Sequence, residues 1–135
     1  MYVVDASVWV SRLIPNDVQH EPSYNWLEGT INRGELVVAP ALLLAEVAGA
    51  VSRRTGQPEL AERAVDLLEQ LPNSRLVAID PQLARHAAVL AGHHRLRGSD
   101  ALYVALAQHL GFTLVTWDRE QAERGSAATS VVTPG

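Results

Sequence analysis

The sequence of 135 residues contains no cysteine, no lysine and no long apolar run, and each absence excludes a class of function. Without cysteine there is no thiol nucleophile, no cysteine-ligated zinc site and no iron–sulfur cluster. All 11 basic residues are Arg, which excludes a lysine-dependent phosphate loop and any Schiff-base mechanism. No apolar run reaches the roughly 18 residues needed to cross a bilayer. We therefore expect a cytoplasmic protein without a membrane span.

The composition that is present fits one globular domain. Hydrophobic residues make up 47% of the chain and charged residues 19%, and this length suffices to bury a core. The formal charge of −4 disfavours broad, non-specific binding to nucleic acid. An anionic substrate would have to be held by local Arg side chains or by metal ions.

Short apolar segments alternate with helical patterns along the whole chain. The predicted strands are 2–4, 36–38, 76–79, 112–116 and 130–132, and the predicted helices are 7–13, 22–33, 40–54, 58–71, 81–93, 99–110 and a short one after 118. We expect Ser7 and Ser99 to cap helices, Pro40 to lie in a first turn, and Gly111 to end a helix. The pattern predicts one α/β domain over residues 1–135, with a mostly parallel sheet covered by helices on both faces.

Two acids directly follow predicted strands. Asp5 comes after the first strand, and Asp118 follows the strand FTLVT. Ligands of open α/β sheets bind beyond the carboxyl ends of the strands, so both side chains are candidates for one site. The alternative is that each aspartate only forms a turn or caps a helix.

Two further acids lie in apolar helical segments. Glu46 is the only polar residue in APALLLAEVAGAV, residues 39–51, so we expect this helix to be covered on most sides. The charge of Glu46 would then be costly to bury unless it is paired or bound to metal. The alternatives are a buried ion pair with an Arg, or a narrow exposed face. Asp100 opens the segment DALYVALAQHLG, where an acid also interacts favourably with the helix dipole.

Four converging carboxylates would repel one another. At about 5 Å and an effective dielectric near 20, each ionised pair costs roughly 3 kcal/mol. Divalent ions with a preference for oxygen ligands, Mg²⁺ or Mn²⁺, would compensate this cost and also bind substrate phosphates. Such ions can activate a water and stabilise the leaving oxygen of a phosphodiester. The acids therefore indicate a metal-dependent phosphodiesterase.

The order of these motifs resembles the PIN domain. DxS after the first strand, Glu46 in the third helix, SDALYVALA and then TWD occur in that order, with the spacing of the compact VapC-like toxins of type II toxin–antitoxin pairs. The resemblance implies a parallel sheet of about five strands and Mg²⁺- or Mn²⁺-dependent endoribonuclease activity on RNA. It also implies a homodimer and inhibition by a small cognate antitoxin.

The resemblance also assigns roles to residues. By position, Asp5, Glu46 and Asp100 match the family's three core acids, and Asp118 matches the fourth, more variable one. We expect Asp5 and Asp100 to be the main metal ligands, with Glu46 completing the site and Asp118 acting through a second ion or water. Two supporting hydroxyls, Ser7 and Thr116, would orient carboxylates or donate to a phosphate oxygen.

A basic stretch precedes the third acid. In HHRLRG, Arg95 and Arg97 are expected near the mouth of the pocket, and we hypothesise that Arg97 contacts a substrate phosphate. The alternative is a solvated loop. The pair Arg53-Arg54 is interpreted as a complement to a helix dipole.

Two other functions remain open at this point. The first is a different nuclease of the same superfamily, which processes RNA or cuts DNA and is no toxin. The second is a non-catalytic binding module whose acids receive an Arg from a partner. Cleavage of RNA in Mg²⁺ but not in EDTA would exclude the binding module.

Overall fold

Strands and helices alternate along the computed structural model, which describes residues 1–135. The strands are β1 (Tyr2–Val4), β2 (Val37–Pro40), β3 (Ser74–Val77), β4 (Thr113–Val115) and β5 (Val131–Val132). The helices are α1 (Ala6–Leu13), α2 (His20–Asn32), α3 (Leu43–Thr55), α4 (Pro58–Gln70), α5 (Pro81–His94), α6 (Gly98–Leu110) and α7 (Arg119–Gly125). Every predicted element is present. None of the helices has the length and apolar character of a membrane span.

The five strands form one sheet in the order β3-β2-β1-β4-β5, and every neighbouring pair is parallel. Val3 of the central strand β1 lies opposite Val38 of β2 and Leu114 of β4. The chain leaves β1 toward β2 and β3 on one side and later returns to β4 and β5 on the other. The strand order therefore reverses at β1, and this edge is where open α/β sheets bind ligands.

Helices cover both faces of the sheet and bury most of its central strands. Val3, Val4 and Leu114 are completely buried, as expected for apolar strands of a parallel sheet. Helix α6 packs against β1, β2 and β4, and its residues 103–105 are also completely buried. A buried helix holds its first turn rigidly, and Asp100 lies in that turn.

Two predicted helix caps are wrong, and one is confirmed. The α1 helix is capped by Asp5, whose carboxylate accepts the N–H of Ser7 at 2.9 Å, so Ser7 lies inside the first turn. The α6 helix begins at Gly98, with Arg97 at the cap position and no side-chain cap, so Ser99 is also inside the helix. Gly111 ends α6 with a left-handed φ of 70°, which glycine adopts without steric cost.

The predicted start of the third helix is also wrong. Pro40 is the last residue of β2, where it lies opposite Val77, and α3 begins only at Leu43. Proline is tolerated at this position because the ladder continues through the next residue, whose N–H bonds to the carbonyl of Val77 at 2.8 Å.

Candidate functional site

The four predicted acids come together at the carboxyl edge of the sheet. Asp5 follows β1, Asp118 caps α7 beyond β4, and Glu46 and Asp100 lie in the first turns of α3 and α6. Their proximity affects their ionisation, because the negative charges of the other three all raise the pKa of the Asp100 carboxyl. The site thus combines residues that are up to 113 positions apart in the sequence.

Asp5 is held rigidly by hydrogen bonds to both of its oxygens. Its Oδ2 accepts from the Ser7 N–H at 2.9 Å and from the Thr116 hydroxyl at 3.3 Å. Its Oδ1 accepts from Nε2 of Gln121 at 3.3 Å. The residue is only 6% exposed, so these bonds compensate much of the cost of burying its carboxylate. The capping interpretation is therefore correct for Oδ2, whereas Oδ1 is bound by the Gln121 amide that also donates to the backbone carbonyl of Asp100.

The two predicted hydroxyls connect the acids to one another. Ser7 Oγ and Thr116 Oγ1 lie 3.3 Å apart. Ser7 Oγ also accepts the N–H of Trp117 at 3.1 Å, and Thr116 Oγ1 accepts the N–H of Asp118 at 3.0 Å. The loop that carries Asp118 is thereby fixed to the start of α1. Both hydroxyls orient the carboxylate region, whereas donation to a phosphate stays a prediction.

Glu46 is half-buried at the edge of its helix. Tyr103 donates its hydroxyl to Glu46 Oε1 at 2.7 Å. Burial raises the pKa of the Glu46 carboxyl, the bond from Tyr103 opposes this shift, and the charge of Asp5 adds to it. Tyr103 is completely buried, and its own pKa is raised by burial and by the charge of Glu46. This tyrosine therefore stays a neutral donor to the carboxylate.

The expectation that α3 is covered on most sides is wrong. Only Leu43, Val47 and Val51 are buried, and Ala45, next to Glu46, is exposed. The apolar composition misled the prediction because apolar residues are also common at protein surfaces, so an apolar segment need not be covered on every side. The predicted alternative of a buried ion pair with an Arg is also absent.

Asp100 is the most strongly perturbed acid of the group. Its pKa is raised from 3.8 to about 6, first by burial and then by the charges of Asp118 and Asp5, while Arg97 opposes the shift. No hydrogen bond to its carboxylate compensates this, because Gln121 donates to the backbone carbonyl of Asp100 instead. The favourable helix dipole is therefore outweighed by desolvation and repulsion.

None of the four acids has a basic partner. All ion pairs of the chain use other acids, namely Asp17, Glu28, Glu35 and Glu120. The donor set consists of carboxylate and hydroxyl oxygens, which suits Mg²⁺ or Mn²⁺ and not a soft metal. No three Asp, Glu or His side chains lie close enough together, as they stand, to share one ion. An ion held at this edge would therefore need rotation of the acidic side chains or water molecules as additional ligands.

Of the two predicted arginines, Arg97 lies beside the acids, whereas the contact of Arg95 is with Arg124. Arg97 is 68% exposed and donates to Glu120 Oε2 at 3.1 Å. Arg95 ends α5 in a left-handed conformation with φ 55°, and its carbonyl accepts from Arg124 at 2.6 Å. Arg97 is therefore close enough to lower the pKa of Asp100 but is already paired. Contact of either arginine with a substrate stays a prediction.

Two site residues were missed from the sequence. Gln121 is completely buried, donates to Asp5, and its Oε1 has no hydrogen-bond partner. Gln121 follows Asp118 by three residues, which is the spacing of a capping box, and this spacing is visible in the sequence. Tyr103 offered a weaker signal: a phenol within an apolar helix usually needs a polar partner when buried.

A family model for the PIN domain matches residues 2–126. The chain belongs to the PIN domain family. No curated protein sequence matches this PIN domain protein, but solved structures do. VapC20 of Mycobacterium tuberculosis, described as a sarcin–ricin loop cleaving toxin, superposes with a TM-score of 0.80 at 19% identity, over 93% of this chain and 95% of that one.

Two further structures superpose over nearly the whole PIN domain. FitAcB from Neisseria gonorrhoeae has a TM-score of 0.74 at 23% identity, over 99% of this chain and 98% of that one. A toxin–antitoxin complex from Klebsiella pneumoniae has a TM-score of 0.71 at 17% identity, over 100% and 98%. At these identities the likeness establishes the PIN fold, and with it the predicted fold class is confirmed.

Proposed function

We propose that this PIN domain protein is a divalent-metal-dependent endoribonuclease and the toxin of a toxin–antitoxin pair. The observation that carries the proposal is the group of partly or fully buried carboxylates without basic partners, at the sheet edge where ligands bind. A stable fold gains nothing from such a group, since each uncompensated pair costs free energy. A site that recruits Mg²⁺ or Mn²⁺ and a phosphodiester requires it.

In this proposal Asp5, Glu46 and Asp100 hold the ion, and Asp118 acts at its periphery. A bound Mg²⁺ or Mn²⁺ would lower the pKa of a water and neutralise charge on the phosphodiester. Asp5 supplies a carboxylate whose two oxygens are fixed by hydrogen bonds from two different elements. Glu46 supplies a carboxylate whose ionised form is favoured by the hydrogen bond from Tyr103.

The assignment to RNA and to an antitoxin rests on the family and on the related structures. VapC20 is described as cleaving the sarcin–ricin loop, which is an RNA, and the Klebsiella protein is part of a toxin–antitoxin complex. On the same basis we propose that the protein binds a cognate antitoxin, forms a homodimer and is located in the cytoplasm. Light scattering during size-exclusion chromatography measures the dimer, and a monomeric mass at assay concentration would contradict it.

The substrate is tested with an RNA and a DNA of the same sequence, each labelled at one end and incubated with the antitoxin-free protein in Mg²⁺. We expect cleavage of the RNA only, complete suppression by EDTA, and no 2′,3′-cyclic phosphate, because water and not the ribose 2′-hydroxyl attacks the phosphorus. Cleavage of the DNA at an equal rate would favour a DNA nuclease. No cleavage of either strand in Mg²⁺ or Mn²⁺ would favour the non-catalytic binding module.

A further inference from the structure

An open cleft of about 550 Å³ runs from the acidic site between α1 and α3. Its lining includes Ser7 and Glu46 of the acidic site, together with Trp117, Asp17, Arg53 and Arg54. We call it the α1–α3 cleft. Because Ser7 and Glu46 belong to the acidic site, a polymer bound at the acids can continue directly into this cleft.

The cleft contains two arginines, and only one of them lacks a partner. Arg54 forms an ion pair with Asp17, so the charges of these two residues compensate each other. Arg53 is exposed and takes part in no ion pair and no side-chain hydrogen bond of the chain. In a protein with a formal charge of −4, such a free cation beside an anionic site attracts a phosphate locally.

The helix places Arg53 at a defined distance from the acids. Arg53 follows Glu46 by seven residues, which is about two turns, so both project from nearly the same side of α3 with a separation of about 10 Å along the axis. The Arg53 side chain also folds back along the helix, since its Nη1 would lie 3.1 Å from a Cβ at Gly49. The guanidinium therefore lies in the turn between Arg53 and Glu46, nearer to the acids than its backbone.

We infer that Arg53 binds a phosphate of single-stranded RNA, a nucleotide or two from the scissile bond, in the α1–α3 cleft. The guanidinium presents a planar pair of donors that suits two phosphate oxygens. Trp117 forms part of the wall, and its Nε1 is fixed to Ser23 Oγ at 2.8 Å, so the indole is held in place. The inference rests on the proposed function and adds a substrate contact outside the acidic site.

The contact is measured as the affinity for a labelled single-stranded RNA of mixed sequence, over a series of salt concentrations. Arg53→Ala, Arg53→Lys and the control Arg85→Ala are each made in the Asp100→Asn background, which prevents cleavage. Arg85 is an exposed arginine of α5, outside the cleft and without an ion pair. Melting temperatures are compared to verify that each variant folds.

We expect Arg53→Ala to weaken binding roughly tenfold at low salt. The slope of log affinity against log salt should fall by about 0.7, the value for one phosphate of a single strand. Arg53→Lys should keep the slope, because the charge is retained, and Arg85→Ala should change neither quantity. In the cleavage-competent protein, Arg53→Ala should raise KM and leave kcat nearly unchanged.

Equal affinities and slopes for Arg53→Ala and Arg85→Ala would overturn the inference, and so would weaker binding with an unchanged slope. These outcomes differ from failure of the proposed function. If the unmodified protein cleaves RNA while Arg53→Ala behaves like the control, only the Arg53 contact is wrong. If the unmodified protein cleaves no RNA, the proposed function is wrong and the contact falls with it.

Discussion

Replacing Asp100 by asparagine removes the carboxylate that the fold tolerates least. Its pKa is raised from 3.8 to about 6, and a shift of this size corresponds to about 3 kcal/mol of unfavourable free energy in the ionised form. Asp100 is partly exposed, and solvent screens its interactions, so we expect about 1–2 kcal/mol to be realised. Asparagine also loses a favourable interaction with the α6 dipole, worth about 0.5 kcal/mol. The net expected stabilisation is about 1 kcal/mol.

The sign of the pH dependence follows from the direction of the shift. Because the folded-state pKa lies above the unfolded one, the unfolded chain releases this proton first, and the folded state loses stability as the pH rises from about 4 to 6. Below this pH range Asp100 is protonated in both the folded and the unfolded state, so it does not lower the free energy of unfolding. The gain from Asp100→Asn should therefore be absent near about pH 4 and complete above about pH 7.

The assay is thermal unfolding in EDTA at about pH 4 and about pH 8, with Asp66→Asn as the control. Asp66 is an exposed aspartate of α4 without a side-chain hydrogen bond or ion pair. We expect Asp100→Asn to melt about 3–5 °C higher than the unmodified protein at the higher pH only. A lower melting temperature at that pH, or an equal gain at both, would refute the interpretation of Asp100 as an uncompensated carboxylate.

Two further predictions concern the ion and the tyrosine. About 10 mM Mg²⁺ should stabilise the unmodified protein by roughly 1.4 kcal/mol if the dissociation constant is near 1 mM. In the same melting assay, Asp100→Asn should lose most of this stabilisation. Equal stabilisation of both proteins would contradict the role of Asp100 as a metal ligand. Tyr103→Phe removes the hydrogen bond that lowers the pKa of Glu46, so protons should compete better with the metal. In Tyr103→Phe, the Mg²⁺ concentration for half-maximal RNA cleavage should rise several-fold near about pH 6 and little near about pH 8. An equal rise at both pH values would indicate a purely structural effect of the substitution.

The sequence predicted the fold and the grouping of the acids because both depend on short-range patterns. Alternating apolar strands and helices require parallel connections, and parallel strands bring their carboxyl ends to one edge. Asp5 and Asp118 were expected at the same edge for this reason, and the structure adds that their strands β1 and β4 are direct neighbours. Asp100 joins them because the buried helix α6 fixes its first turn beside β1 and β4.

The partners of these acids depended on contacts that no local pattern contains. Arg97 donates to Glu120, which is 23 positions later and is brought near by the packing of α7 on α6, and this ion pair was not expected. The bond from Tyr103 to Glu46 spans 57 positions. Glu46 was identified as a candidate site residue because its segment is apolar. The structure buries only part of this segment, since small side chains permit burial without requiring it.

Competition between two good capping residues was another source of error. Asp5 and Ser7 are two positions apart, and either side chain is a favourable N-cap. The structure uses Asp5, because the chain turns into α1 directly at the end of β1. Ser7 is thereby free to bind the loop of Trp117 instead, which the sequence alone did not indicate.

The central claim, that the unpaired carboxylates form a metal-dependent RNA-cleaving site, is tested most directly by a matched pair of aspartate variants. Asp5→Asn retains the α1 cap and the size of the side chain, and Asp66→Asn makes the same chemical change on an exposed face of α4. The measurement is the rate of RNA cleavage as Mg²⁺ is titrated. We predict that Asp66→Asn follows the unmodified protein and that Asp5→Asn loses at least about 100-fold in rate, roughly 3 kcal/mol of transition-state stabilisation, while melting as a folded protein. Cleavage by Asp5→Asn at the unmodified rate, or cleavage that persists in EDTA, would contradict the claim.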